Sequence, residues 1–124
     1  MKKLTPRHLA VFSKAVRHWQ IKLALGSWEI QVMWAPDNTA YAHVVTDASG
    51  RAADVALCRE WPADGLEPTD KELSRVAFHE LMHIVLADLA NAANRNVPEA
   101  SAHLLGGVEH NVIRTMENIL FPRK

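Results

Sequence analysis

Leu9, Phe12, Val16, Trp19 and Leu23 recur at helical spacing and predict an amphipathic helix from Thr5 to Leu25. Thr5 can cap it, Pro6 occupies the favoured first position, and Gly26 supplies a stop. The period then changes. Trp28, Ile30, Val32 and Trp34 alternate with Glu29, Gln31 and Met33, the pattern of a strand with one buried face. After the turn residues Pro36, Asp37 and Asn38, a second strand runs from Ala40 to Thr46. It sets Tyr41, His43 and Val45 on one face and Ala42, Val44 and Thr46 on the other. Asp47 to Gly50 is the next turn, with Gly50 suited to positive φ. Ala53 to Arg59 forms a third strand. Short strands joined by short turns predict an antiparallel meander with this third strand at an edge.

Glu60 to Pro68 reads as a loop. Beyond it, Leu73, Val76, Ala77, Leu81, Ile84 and Val85 give a broad apolar surface at helical spacing, with no Gly or Pro from Thr69 to Val97. Thr69 and Glu72 fit a capping box, and Asp70 suits the helix dipole. Asn91 to Gly107 is weakly patterned, either a lid or a connector. Val108 to Leu120 is the last helix, ended by Pro122. The expected fold is α+β in a single domain, 1–124: an N-terminal helix, a small antiparallel sheet of about three strands, and two further helices.

Composition narrows this picture without changing it. The 124 residues are 48% hydrophobic and 23% charged, with a formal net charge of zero. No global field draws such a chain to nucleic acid or to an anionic membrane. The locally basic N-terminal segment (Lys2, Lys3, Arg7, Lys14, Arg17, Lys22) is accounted for by a solvated helix face. Met1-Lys2-Lys3 resembles a signal-peptide start, but Arg7, His8, Lys14, Arg17 and His18 break any apolar core after it. No run reaches membrane-spanning length. Cys58 is the only cysteine, so an intrachain disulfide is excluded and a reducing, cytoplasmic setting is expected. Composition leaves the oligomeric state open.

Chemistry concentrates at His79, Glu80 and His83, an H-E-x-x-H pattern inside the third helix. Residues four apart lie one above the other on a helix, so His79 and His83 can aim two imidazoles at one divalent metal. Glu80, next to His79, can reach a water on that metal and take its proton. As ordinary helix histidines, both would be costly polar groups among apolar neighbours.

A zinc site needs a third protein ligand. The last helix offers Glu109, His110 and Glu117. Glu109 shares a stripe with Val112, Ile113, Met116 and Leu120, where a carboxylate is expensive unless a cation meets it. It is the first choice, with His110, on a face that looks solvated, in reserve. Glu117 can instead pair with Arg114 on the helix surface.

With these residues in place, the chain resembles the minimal zincin metallopeptidases. His79-Glu-Leu-Met-His83 followed by Val108-Glu-His-Asn-Val-Ile-Arg looks like the H-E-x-x-H…E-x-x-A pattern of compact prokaryotic and phage-associated peptidases of the ImmA/IrrE kind. The likeness covers the order of elements but specific residues in two short segments only. It implies His79, His83 and Glu109 as zinc ligands and Glu80 as general base. Leu86 and Leu89 stand where metzincins carry Gly and a third His, which excludes that subclass. Ile113 stands where thermolysin-like enzymes carry an orienting Asp, and Val112 replaces the usual Ala.

The expected activity is therefore zinc-dependent hydrolysis of a peptide or protein substrate, which would add as a strand along a sheet edge. Tyr41, His43 and His103 are candidate oxyanion stabilisers by residue type. The competing reading is a non-catalytic zinc-binding, regulatory or protein-interaction domain on the same scaffold. Glu80 argues against it, because a purely structural site has no use for that carboxylate.

Overall fold

The structure is a computed structural model describing residues 1–38, 40–87, 89 and 102–122, the side chains of 102–105 excepted. In chain order it contains β1 (Lys2–Lys3), α1 (Pro6–Lys22), β2 (Glu29–Trp34), β3 (Ala42–Asp47), β4 (Ala52–Leu57), β5 (Glu60–Trp61), α2 (Asp70–Val85) and α3 (Ala102–Leu120). The fold is α+β, as expected.

The expected meander is replaced by a mixed sheet in the order β2-β4-β3. β4 pairs parallel with β2, setting Ile30 opposite Ala53 and Val32 opposite Val55. It pairs antiparallel with β3, setting Val44 opposite Val55. So β4 is central rather than at an edge. The reason lies in its side chains: Ala53, Val55, Ala56, Leu57 and the adjoining Cys58 are all buried, on both faces of the strand. β3, whose Val45 and Asp47 are exposed, is suited to the edge it occupies.

The turn between β3 and β4 also differs from expectation. Arg51, not Gly50, takes positive φ, at 52°. Gly50 is needed for close approach: a Cβ there would lie 2.6 Å from Asp47 Oδ2. Asp47 Oδ1 accepts hydrogen bonds from Ser49 Oγ at 2.8 Å and Gly50 N at 3.1 Å, which hold its carboxyl below the usual range. At the end of α1, likewise, Ala24 rather than Gly26 adopts the left-handed conformation (φ 55°) that stops the helix.

The charged N-terminus is built into the fold. Lys2 pairs with Trp61 and Lys3 with Glu60 in a second, two-stranded sheet. Lys2 Nζ also donates to the carbonyls of Gly65 and Leu66 and meets Glu67 at 2.9 Å. The stretch read as a loop is thereby fixed against the first residues.

α2 begins at the predicted cap, with the Thr69 half of the expected box: Thr69 Oγ1 accepts from the Glu72 N–H at 3.2 Å. Leu73, Ala77, Leu81 and Ile84 enter the main core with Phe12, Val16, Val55, Leu57 and Trp61. Phe78 and Met82 face another way and meet Ile113 of α3 in a second cluster. Trp19 of α1 braces that cluster, with ring centroids 5.0 Å from Phe78 and 5.7 Å from Phe121. Helix α2 therefore packs against α1, β3 and α3 at once. Among the described residues, no helix is long and apolar enough to cross a membrane.

α3 starts earlier than expected, taking Gly106 and Gly107 into the helix, and its inward face is rotated. Ile113 and Glu117 are buried, and Glu109 and Met116 half-buried, while Val112 and Leu120 are exposed. The stripe assumed from the sequence was partly wrong because the facing surface of α2 carries Arg75, His79 and His83. Polar partners are drawn inward in place of two apolar residues.

Candidate metal centre

Arg75, His79 and His83 are spaced four apart, so they form one stripe along α2. α3 meets this stripe with Glu117, Glu109 and His110. Glu117 Oε2 lies 3.1 Å from Arg75 Nη2, and its Oε1 is hydrogen-bonded to His79 Nδ1. Eight residues earlier on α3, Glu109 Oε1 lies 2.9 Å from His83 Nδ1, eight residues after Arg75. These contacts make α2 and α3 an antiparallel pair zipped by polar groups.

Glu109, expected as the third ligand, thus sits on Nδ1 of His83. Among the described residues, the group whose ligand atoms all lie within 4.8 Å of one another is His79, His83 and His110. The His83 and His110 ring centroids are 5.0 Å apart, those of His79 and His83 5.1 Å. His110 is exposed, as its position on α3 suggested, yet its ring reaches back across the groove. Glu117 was read as a surface residue paired with Arg114; it is 5% exposed and bound to Arg75 and His79. A signal for it existed in the sequence: Glu117 lies four residues beyond Ile113, hence on the same helix face.

The three histidines could hold a metal ion. With each Nδ1 occupied by a carboxylate, His79 and His83 keep Nε2 free for a metal, and carboxylates in that position are the usual partners of ligand histidines. Three imidazoles satisfy the protein's share of a four-coordinate site that keeps one position for water.

Glu80 points differently from its neighbours. It is 6% exposed, and burial pushes its carboxyl up to about 7, with His79 opposing and Glu117 adding to the rise. Among the described residues it forms no hydrogen bond or ion pair, and it borders two adjoining cavities. The larger, about 520 Å³, is lined by Ala42, His43, Val44 and Thr46 of β3 and by His79, His83, Glu109 and His110. The smaller, about 250 Å³, lies among Tyr41, Leu66, Arg75, Val76, His79 and Glu117.

The two histidines of α2 are tuned in opposite senses. The Glu117 carboxylate holds the His79 imidazole above its ordinary value against the effect of burial. Burial pushes His83 below its ordinary value, with the Glu109 hydrogen bond opposing.

The oxyanion candidates fall in three places. His43 borders the larger cavity, its buried Nε2 3.4 Å from Asp37 Oδ1 but without a hydrogen bond. Tyr41 borders the smaller one, and its hydroxyl oxygen accepts from the Leu66 N–H at 3.2 Å. His103 lies outside the residues whose side chains are described, and most of the 91–107 stretch lies outside the described residues. Cys58 is buried, and burial pushes its thiol up, with Asp37 and Glu80 adding to the rise. No family model, curated protein or solved structure matches this chain.

Proposed function

We propose that the protein is a zinc-dependent metallopeptidase of the zincin kind, cleaving peptide bonds in the cleft between β3 and the α2–α3 pair. The observation that carries this reading is Glu80: a buried carboxylate with no hydrogen bond among the described residues, bordering the cleft that holds three imidazoles. Leaving such a group unpaired costs free energy, and a structural metal site does not need it. His79, His83 and His110 would hold the ion, with Glu117 and Glu109 orienting the first two. Zinc bound there supplies Lewis acidity, polarising the scissile carbonyl and acidifying a water.

The chain's own groups supply the rest. Glu80 takes the proton of the attacking water and returns it to the departing amine, a role suited to a carboxyl poised near neutrality. β3 is the end strand of its sheet and borders the cleft, so an extended substrate can pair with it by main-chain hydrogen bonds. His43 and Tyr41, which line the two cavities, would meet developing negative charge. Nothing in this reading calls for nucleic acid or a lipid surface, and free, buried Cys58 fits a cytoplasmic setting.

The test combines elemental analysis with a peptide-cleavage assay. Wild type should carry about one zinc per chain. Glu80→Gln should keep the metal and lose on the order of 10²-fold or more in hydrolysis. His110→Ala should lose zinc affinity more than Glu109→Ala does; the reverse order would make Glu109 the third ligand. Stoichiometric zinc with no cleavage of any peptide by wild type would favour the non-catalytic metal-binding domain. Absence of zinc from folded protein after metal is added back would end the reading altogether.

A further inference from the structure

We infer that Arg75 is a positioning residue for the metal centre, acting through Glu117 to fix the tautomer and direction of the His79 ring. The inference rests on the proposal above that His79 is a metal ligand. Arg75 never touches the candidate ion-binding nitrogens. It stands one helical turn before His79 on the same stripe of α2, and Glu117 reaches both from α3, one oxygen to each.

A carboxylate that must accept from an imidazole Nδ1–H has to be ionised and held still. Alone in this position, 5% exposed, Glu117 could meet that need poorly. The Arg75 guanidinium supplies the missing charge and, through Nη2 at 3.1 Å, fixes which oxygen is left for His79. Glu72 holds the other side of the fork, 3.7 Å from Nη1. The result is a chain of fixed polarity, from cation to carboxylate to Nδ1–H, that leaves Nε2 as the unprotonated nitrogen of a ring clustered with His83 and His110.

The way Arg75 is held suggests direction rather than packing as its role. Its Nε is buried and has no hydrogen-bond partner. An arginine placed for stability alone would be expected to satisfy that donor. Here the fork is turned so that its ends face Glu117 and Glu72, at the expense of Nε. His83 offers the contrast, since its carboxylate, Glu109, is more exposed than Glu117 and forms no ion pair with Arg or Lys among the described residues.

The test uses the full chain with Arg75→Met, Arg75→Lys and Glu72→Gln, and reads two quantities. The first is zinc affinity by chelator competition. The second is the His79 tautomer in metal-free protein, from long-range proton–nitrogen correlation spectra at alkaline pH, where the ring is neutral. Wild type should show His79 as the Nδ1–H form. Arg75→Met should weaken zinc binding by about 10-fold or more and shift His79 toward the Nε2–H form. Arg75→Lys, which keeps the charge but not the fork, should restore part of both. Glu72→Gln, which removes the charge at the other end of the fork, should shift both in the same sense as Arg75→Met but by less.

An Nε2–H ring in the wild type would overturn the proposal without any variant. So would an Arg75→Met protein that binds zinc as tightly as wild type. If Arg75→Met fails to fold, a Lys variant with unchanged affinity and an unchanged tautomer would show that the charge alone suffices and the fork positions nothing. A wild type that binds no zinc would instead sink the metal reading, while the tautomer measurement would still report on the Arg75–Glu117–His79 chain.

Discussion

His79 and His83 are identical side chains one turn apart on the same helix, each with a glutamate of α3 on its Nδ1. They nevertheless sit in opposite electrostatic circumstances. The carboxylate at the His79 end is closed in, although the His79 side chain, 32% exposed, is more accessible than that of His83 at 19%. Glu117 is buried, Arg75 balances it, and Phe78, next to His79 on α2, meets Trp19 of α1 and Phe121 just past α3. The His83 end is open, with a half-exposed Glu109, an exposed His110 and the wide mouth of the larger cavity. One glutamate of the candidate centre is thus held inside the scaffold and the other stands at the cleft. A spacing motif treats its two histidines as equivalent, whereas the packing around them makes them different.

Removing the two glutamates should expose this difference most strongly. Glu117→Ala leaves Arg75 without its buried partner and should destabilise the metal-free fold by about 3 kcal/mol. Glu109→Ala should cost about 1 kcal/mol or less, its ion pair being partly solvated. Urea unfolding of the two metal-free variants beside wild type measures both. Equal losses would erase the distinction between a closed and an open end.

Glu80 lies between the two ends, and its effect runs the other way. Its carboxyl is raised from 4.5 to about 7 in the fold, so the folded state binds the proton more tightly than the unfolded chain. Stability of the metal-free protein should therefore fall as pH rises from 4.5 through 7 and level off above. Glu80→Gln removes that penalty. It should be more stable than metal-free wild type by about 3 kcal/mol at pH 8, the gain disappearing below pH 4.5. Urea midpoints at both pH values decide it, and a variant no more stable than wild type at pH 8 would show that Glu80 is solvated.

The subtlest expectation concerns the histidines themselves. A raised His79 adds stability below its unfolded value, and this is lost as pH climbs through the folded one. A lowered His83 does the reverse, adding stability above its unfolded value that is lost as pH falls through the folded one. Substituting each with Gln in metal-free protein should tilt the pH–stability curve in opposite directions, small effects read from midpoints on either side of neutrality. Curves tilting the same way would mean that the two environments are alike.

Much of this was legible in the sequence, and the rest was hidden for identifiable reasons. The start of α2 was readable because Thr69 and Glu72 act locally, through one backbone hydrogen bond. The identity of the strands was readable from alternation, but their order was not. Parallel pairing of β2 with β4 joins segments that no local signal connects, and the doubly apolar β4 was mistaken for an edge. The phase of α3 was the costly miss. Val112 and Leu120 made an apolar stripe look complete, yet both are exposed, because the side of the helix that meets the charges of α2 is the one carrying Glu109, Ile113 and Glu117. A hydrophobic pattern locates a helix's buried face only when its partner is itself apolar.

The antiparallel zipper between α2 and α3 also bears on registry. Ile113, set against Phe78 and Met82, is a smooth apolar contact of a kind that would tolerate sliding along the helix axis. Arg75–Glu117 at one end and His83–Glu109 at the other are matched over the same eight-residue span on both helices. A slip of one turn would leave a half-buried cation facing carbon. Such pairs add little net stability compared with well-packed apolar residues, but they penalise every alignment except one. The polar stripe acts as a vernier, and the alignment it selects is the one that brings His110 to the two histidines of α2.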